Sequence, residues 1–433
     1  MADTEIDIVK HSSVVLRPDP ARTVIRPFEA GDPAAFAVPG HARAQRIVDR
    51  VLALDEAALK AERIEIMASL NDRHRDVEAT LLRRFADVDG LTSDRDALSH
   101  EQSLVIGAYF SEEYSFEAAA LFNPSITPHP DQSDLPANGI RFVMSLRGIG
   151  EGHISSVTFR TGTWNADDGF AIDTPSPTAV TPRIEKPEAG GDDQVVRVYC
   201  DGSREVSETV LFPTAPSQRQ GIEDLRLVRF TEDDGTLCYL GTYTAFSGAA
   251  VRQELLHATD FRTFDMRPVH GVVADAKGLA LFPRRIGGRY MALGRQDNEN
   301  LWLMQSDSLY QWDGGTKVIT PRYPWEFIQI GNCGSPIEID EGWLVLTHGV
   351  GMVRNYCMGA CLLDKDDPSK LLARMETPLL RPSPQDRDGY VPNVVYSCGG
   401  LVHDRTLLLP YGIADNFATF ASVAVDDLLA AMR

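Results

Sequence analysis

The sequence predicts an all-β fold, a five-bladed β-propeller with an N-terminal helical extension. Three observations predict it: apolar periodicity changes from helical to strand-like near Phe122, a strand-and-turn unit recurs from there on, and the units keep a common phase. At 433 residues the chain is long enough for a helical segment over 1–121 and a large β domain over 122–433.

In the first region the pattern is helical from Ala42 to about Leu121. Asp55 is placed to cap a helix flanked by Leu54 and Leu59 as a hydrophobic staple, and Ser99 with Gln102 makes a capping box. Leu59, Ile66, Leu70, Val77, Leu81 and Phe85 recur among many charges, which gives amphipathic helices needing a partner surface. That surface is either the helices' own domain or a second copy of the chain.

The β region repeats a short strand at 141–147, 240–246, 289–295, 343–348 and 407–412. Most copies follow a Gly- or Asp-rich turn, and several units end in an acid-centred turn such as Thr259-Asp260 or Leu363-Asp364. A recurrence of about 50 to 60 residues is what propeller blades of about four strands require. A pair of β-sandwiches is the rival architecture, and the shared phase favours the propeller. The stretch Trp164 to Gln220 fits poorly and reads as an insertion with an exposed loop over Thr174 to Asp193.

The formal net charge of −20 disfavours an extended phosphate- or lipid-binding surface, so no nucleic acid or membrane is expected as a partner. A few arginines in a pocket still suffice for a small anion. No signal peptide and no run long enough to span a bilayer is read. Cysteines 200, 238, 333, 357, 361 and 398 lack paired spacing and read as buried thiols, which places the protein in the cytoplasm. The histidines lack metal-ligand spacing, so no metal is expected. Gly148-x-Gly150-x-Gly152 lies between strands and is a turn rather than a nucleotide loop.

Candidate chemistry concentrates in Gly221-Ile222-Glu223-Asp224-Leu225-Arg226, just before the strand 240–246. In regular β geometry Glu223 and Asp224 point to opposite faces, so one carboxylate acts while the other supports it. The repeated strands end in Arg147, Thr244, Arg295, His348 and Tyr411, with Asp415 just beyond. Polar groups at one repeat phase in buried strands need partners, and a shared ligand site supplies them. Trp302 and Trp343 read as core residues before sugar platforms.

The Gly-Ile-Glu-Asp-Leu-Arg run resembles glycoside hydrolase family 130, together with Thr242 to Phe246, Lys277 before Leu281-Phe282-Pro283, Gly342-Trp343 leading to His348-Gly349-Val350, and Gly389 to Val395 leading to Ala414-Asp415. The resemblance covers Phe122 to the C-terminus. It implies a five-bladed propeller and an inverting β-mannoside phosphorylase, which uses inorganic phosphate to release α-mannose 1-phosphate and needs no other cofactor. Asp224 matches the family's general acid, thought to deliver its proton through a sugar hydroxyl, and Leu225 stands where the family usually has proline. Arg147, Arg252, Lys277 and His348 match the phosphate region, with Arg285 a weaker candidate. Asn123, Glu223, Tyr243, Arg295 and Asp415 are the expected sugar-side residues. An inverting β-mannosidase and a non-catalytic glycan-binding propeller are the alternatives; the cations at Arg252, Lys277 and His348 argue against a hydrolase. Extensions like the helical one contribute to oligomers in relatives, which makes a homo-oligomer the expected assembly. Linkage and acceptor have no readable code.

Overall fold

Asp55 and Ser99 start helices as the sequence predicts. In the structure, a computed structural model that describes residues 8–32, 42–88, 97–185, 195–385 and 387–433, Asp55 accepts from Ala58 N (2.8 Å) at the head of helix Glu56–Leu70. Ser99 and Gln102 close both halves of the capping box on helix His100–Tyr109. With helices Arg43–Leu52 and Val77–Asp87 and the antiparallel strands Thr23–Pro27 and Ser111–Ser115, these form one unit, Ala21–Ser115, joined by Ser176–Thr181. Its apolar stripe is satisfied internally. Leu59 packs with Val48, Val51, Val105, Ile106 and Phe110, while Val77 and Leu81 pack with Ile25 and Leu104.

The other unit contains the described residues up to Pro20, Phe116–Pro175 and Pro182–Arg433. Its strands group into five antiparallel sets, of which the first two belong to one sheet through the parallel pairing of Gly221 with Ser155. Set one runs Ala120–Pro128, Ile140–Ile149, Ser155–Asn165 and Gly169–Ile172. Set two runs Gly221–Thr231, Leu237–Phe246, Val251–Ala258 and Thr263–Pro268. Set three runs Lys277–Leu281, Tyr290–Arg295, Leu301–Ser306 and Gly315–Ile319. Set four runs Gln329–Asn332 with Ile337–Ile339, then Gly342–Val350, Tyr356–Leu363 and Leu371–Arg374. Set five runs Val395–Tyr396 with Leu401–His403, then Thr406–Ile413 and Phe417–Ala424.

Every repeated segment read from the sequence is the second strand of its set, hydrogen-bonded on both sides. Burial on both faces explains why those segments read as continuous apolar runs. The cores lie between sets: one and two share the core around Phe159 and Tyr243, two and three that around Phe230 and Trp312, three and four that around Phe282 and Trp343. Sets four and five share the core around Met358 and Leu409, and five and one share that around Phe142 and Phe420. Trp343 is fully buried and donates Nε1 to the Lys365 carbonyl (3.0 Å), so it fills a core as expected. All six cysteines are free and buried.

Two boundaries differ from the sequence reading. Strand Lys10–Leu16 pairs antiparallel with Phe417–Ala424, so the division at 121 does not separate a purely helical segment from the β unit. The insertion also supplies strands: Val196–Tyr199 pairs with Thr263–Pro268, and Arg183–Glu185 pairs with Val196–Tyr199, extending set two at its outer edge. Part of the loop expected over 174–193 lies outside the described residues. Among the described residues, no helix is long and apolar enough to cross a membrane and no group of three or more His, Cys, Asp or Glu side chains is placed to hold a metal ion.

Candidate active site

The first strands of the sets are tied together by polar contacts near their midpoints. Leu227 N donates to Ser125 Oγ (3.2 Å), Ser125 bridges Gly399, and Asn332 Nδ2 donates to the Gly278 carbonyl (3.0 Å). Three of these strands slip register at a corresponding place: between Phe122 and Ser125, between Glu223 and Arg226, and between Lys277 and Ala280. The extra residues are Asn123 (φ 48°), Asp224 (φ 56°) and Gly278 (φ 87°), all left-handed. A bulge with a left-handed residue redirects a side chain out of the pleat, and such strain gathers at functional sites.

The bulge overturns the expectation that Glu223 and Asp224 face opposite ways. Both carboxylates reach one guanidinium: Arg147 Nη2 donates to Glu223 Oε1 (2.8 Å) and Nη1 to Asp224 Oδ1 (3.4 Å). Arg147 Nε is held by Ser155 Oγ (2.8 Å). Gly221 lets the acid-bearing strand approach this anchor, because a Cβ there would stand 2.7 Å from the Ser155 Cβ. Asn123 Nδ2 donates to Asp224 Oδ1 from the neighbouring bulge. Arg226, buried and unassigned by the sequence reading, donates Nη1 to the Asp224 carbonyl (3.1 Å), Nε to the Cys333 carbonyl (3.0 Å) and Nη2 to Tyr396 Oη (3.0 Å). Its place in the opening run was visible; its contacts reach residues more than a hundred positions away and were not.

Electrostatics separate the acids. Burial opposes the Asp224 charge, but Arg147, Arg226, the Asn123 amide and Lys277 outweigh it and hold the carboxyl below its ordinary range. Burial, followed by the Asp224 charge, pushes Asp415 the other way, up to about 6. Asp415 (φ 50°) makes no hydrogen bond or ion pair among the described residues.

A cationic wall stands beside the acids. Lys277 Nζ lies 3.5 Å from Glu223 Oε2 and pairs in register with Arg295. Arg295 makes no hydrogen bond or ion pair among the described residues. A Cβ at Gly331 would stand 2.4 Å from Arg295 Cδ and 2.7 Å from His348 Cε1, so glycine there lets the two side chains meet. His348 is fully buried and accepts at Nε2 from Gln329 Nε2 (3.1 Å); burial, then Arg295 and Arg226, keep its pKa well below the usual imidazole value. It is therefore a neutral hydrogen-bonding group. Arg252 follows on the row Ile222–Ala245–Arg252, one residue from the Glu223–Thr244–Gln253 row, and also makes no hydrogen bond or ion pair among the described residues.

Tyr243 is not brought to this site. It is fully buried in the core between sets one and two, with its hydroxyl donating to Glu254 Oε2 (2.6 Å) and accepting from Gln218 Nε2 (3.1 Å). Arg285 is likewise elsewhere, paired with Glu232 (3.7 Å) and Asp233 (3.4 Å).

Residues 201–433 match the family described as beta-1,4-mannooligosaccharide phosphorylase, glycoside hydrolase family 130. The chain belongs to this family. Among curated relatives of family 130, a 1,2-beta-oligomannan phosphorylase of Thermoanaerobacter sp. (strain X514) is 34% identical over 229 residues, covering 52% of this chain and 75% of that one. A beta-1,2-mannobiose phosphorylase of Listeria innocua is 30% identical over 227 residues, covering 51% and 62%. The solved structure of a Listeria innocua beta-1,2-mannobiose phosphorylase with beta-1,2-mannobiose superposes with a TM-score of 0.50 at 22% identity, covering 73% of this chain and 92% of that one, a likeness of fold. The family 130 match begins at residue 201, after Asn123 and Arg147, yet the structure brings both onto Asp224. Leu225, in place of the family's usual proline, is buried, with Cδ1 2.6 Å from where a Gly241 Cβ would stand.

Proposed function

We propose that this chain is an inverting β-mannoside phosphorylase on a five-bladed β-propeller. Five strand sets sharing five cores in cyclic order support the propeller. The observation that carries the chemistry is one acid, Asp224, beside a cationic wall of Lys277 and Arg295, with Arg252 close in register.

In this reading, inorganic phosphate binds Lys277, Arg295 and Arg252, with neutral His348 as a further hydrogen-bonding group. Arginine's fork and lysine's point charge suit a phosphate dianion. Arg147 gives three of its five N–H donors to Ser155, Glu223 and Asp224 and so clamps the acids, and its remaining N–H groups stay available to phosphate. A phosphate oxygen attacks the anomeric carbon of a terminal β-mannosyl unit as the bond to the leaving oxygen breaks. That oxygen takes a proton originating at Asp224, through a sugar hydroxyl, and α-mannose 1-phosphate and a shortened acceptor result. Asp224 is ionised in the free protein; an anion that draws Lys277 away and a sugar that excludes water both raise its affinity for that proton. Asn123 and Asp415 remain the sugar-side groups. No metal or further cofactor enters, the cytoplasm is the expected compartment, and a homo-oligomer through the helical unit, where Ile64 is 60% exposed, is read by size-exclusion chromatography.

Purified protein incubated with β-1,2- and β-1,4-mannobiose should release mannose 1-phosphate only when phosphate is added. Asp224→Asn should lower kcat by about 10²–10⁴-fold with unchanged circular dichroism. Equal release of free mannose without phosphate would sink the proposal.

One observation favours a second reading. Asp415, with its carboxyl pushed up to about 6 and without a hydrogen bond or ion pair among the described residues, suits a base that activates water in an inverting β-mannosidase. Phosphate-independent mannose release that rises through pH 6 and disappears in Asp415→Asn would select it.

A further inference from the structure

Tyr390 carries a phenol ring that is 78% exposed, on the segment that runs against Asp415. Gly389 sits so close to Ala414 that a Cβ there would lie 2.2 Å from its carbonyl oxygen, and Val391 N donates to that same carbonyl (3.1 Å). Asn416 Nδ2 donates to the Asp388 carbonyl (2.8 Å). These contacts fix the Tyr390 segment to the residues on both sides of Asp415. On its other side, the ring meets exposed His153 at 6.0 Å between centroids and 31° between planes. His153 belongs to a turn closed by Gly150 N donating to the Ile154 carbonyl (3.1 Å), next to Ser155, the anchor of Arg147.

The turn that leads into Arg147's anchor and the segment fixed beside Asp415 therefore meet through an aromatic contact at the rim of the site. The rim is strained: His153 (φ 57°), Ala414 (φ 52°) and Asp415 (φ 50°) all hold left-handed backbone. Core packing does not account for a large ring left in water on such a frame. The carboxylate floor is far less open, Asp224 being 23% exposed. A reacting sugar must descend to that floor, and the sugar attached to it stays at the rim.

We propose that Tyr390, backed by His153, is the stacking platform for the leaving-group hexose, a reading that rests on the proposed mannoside chemistry. The C–H face of a pyranose packs on the open face of the ring while its hydroxyls stay in water. Tyrosine offers that surface at low conformational cost, because few torsions are frozen.

The test is acceptor kinetics in the synthetic direction, with mannose 1-phosphate as donor and mannose or mannobiose as acceptor. Tyr390→Ala should raise the acceptor KM roughly tenfold and leave the donor KM within about twofold; Tyr390→Phe should keep wild-type values. An acceptor KM unchanged in Tyr390→Ala overturns the platform. Tyr390 is exposed, so the variant folds, which a thermal melt checks. If wild type shows no phosphate-dependent turnover, the proposed function fails on its own. Calorimetric mannobiose binding then reads the platform: a Kd weakened about tenfold by Tyr390→Ala upholds it, and an unchanged Kd overturns it.

Discussion

At the scale of single residues, the site is organised by unequal treatment of its carboxylates. Asp224 is surrounded by donors and holds its charge, whereas Asp415 has no hydrogen bond or ion pair among the described residues and lies in the field of Asp224. A carboxyl whose folded pKa lies above its unfolded one favours the folded state at low pH and works against it once ionised. With Asp415 pushed up to about 6, its unfavourable contribution grows as pH rises from about 4 to above 6. Asp415→Asn should therefore stabilise the protein at pH 7 by up to about 3 kcal/mol, with the gain gone below about pH 4; thermal melts across that window read it. A gain that is independent of pH would contradict this account. Tyr243 teaches a different lesson at this scale. Its hydroxyl belongs to a buried cluster in which Glu254 also accepts from Ser217 (2.6 Å) and Gln218 (2.7 Å). Tyr243→Phe should cost about 1–3 kcal/mol by stripping a donor from a buried carboxylate, while the mannoside KM stays within about twofold; chemical denaturation and initial rates separate the two effects.

At the scale of elements, the repeated second strands were legible because burial on both faces writes a dense apolar signature into 141–147 and its four counterparts. The helix starts at Asp55 and Ser99 were legible because capping is local chemistry. The bulges were not. A register slip at Glu223–Arg226 depends on the partner strand Leu237–Phe246, and nothing within Gly221 to Arg226 announces that Asp224 turns left-handed. For that reason the carboxylate pair was expected to diverge, when in the structure it shares Arg147. Asp224→Val tests the bulge itself. A β-branched residue tolerates positive φ poorly, so this variant should be destabilised by about 1–3 kcal/mol, whereas Asp224→Asn, which suits that backbone, should melt near wild type.

At the scale of the β unit, Tyr411 and Thr419 show how set five is finished. His11 Nδ1 lies 3.0 Å from Tyr411 Oη, and Thr419 Oγ1 donates to the Val14 carbonyl (2.7 Å). Strand Lys10–Leu16 covers what would otherwise be the open edge of Phe417–Ala424. Deleting residues 1–16 should lower the melting temperature by several degrees or more and promote aggregation through that edge; light scattering during a thermal ramp detects both. The sequence reading missed this strand because its partner lies some four hundred residues away in the sequence, as Lys10 opposite Ser422 shows.

Lys10 pairs with Ser422, and that pairing sets an order of events during synthesis. Four strand sets can assemble as they leave the ribosome, but the last seam has to wait until Phe417–Ala424 has emerged. Loop-closure entropy and high contact order make such long-range joining slow. The nascent protein thus passes through an unsealed state with a bare strand edge and nearly all of its hydrophobic interior already built. In that interval, more than at any later time, it would depend on chaperones.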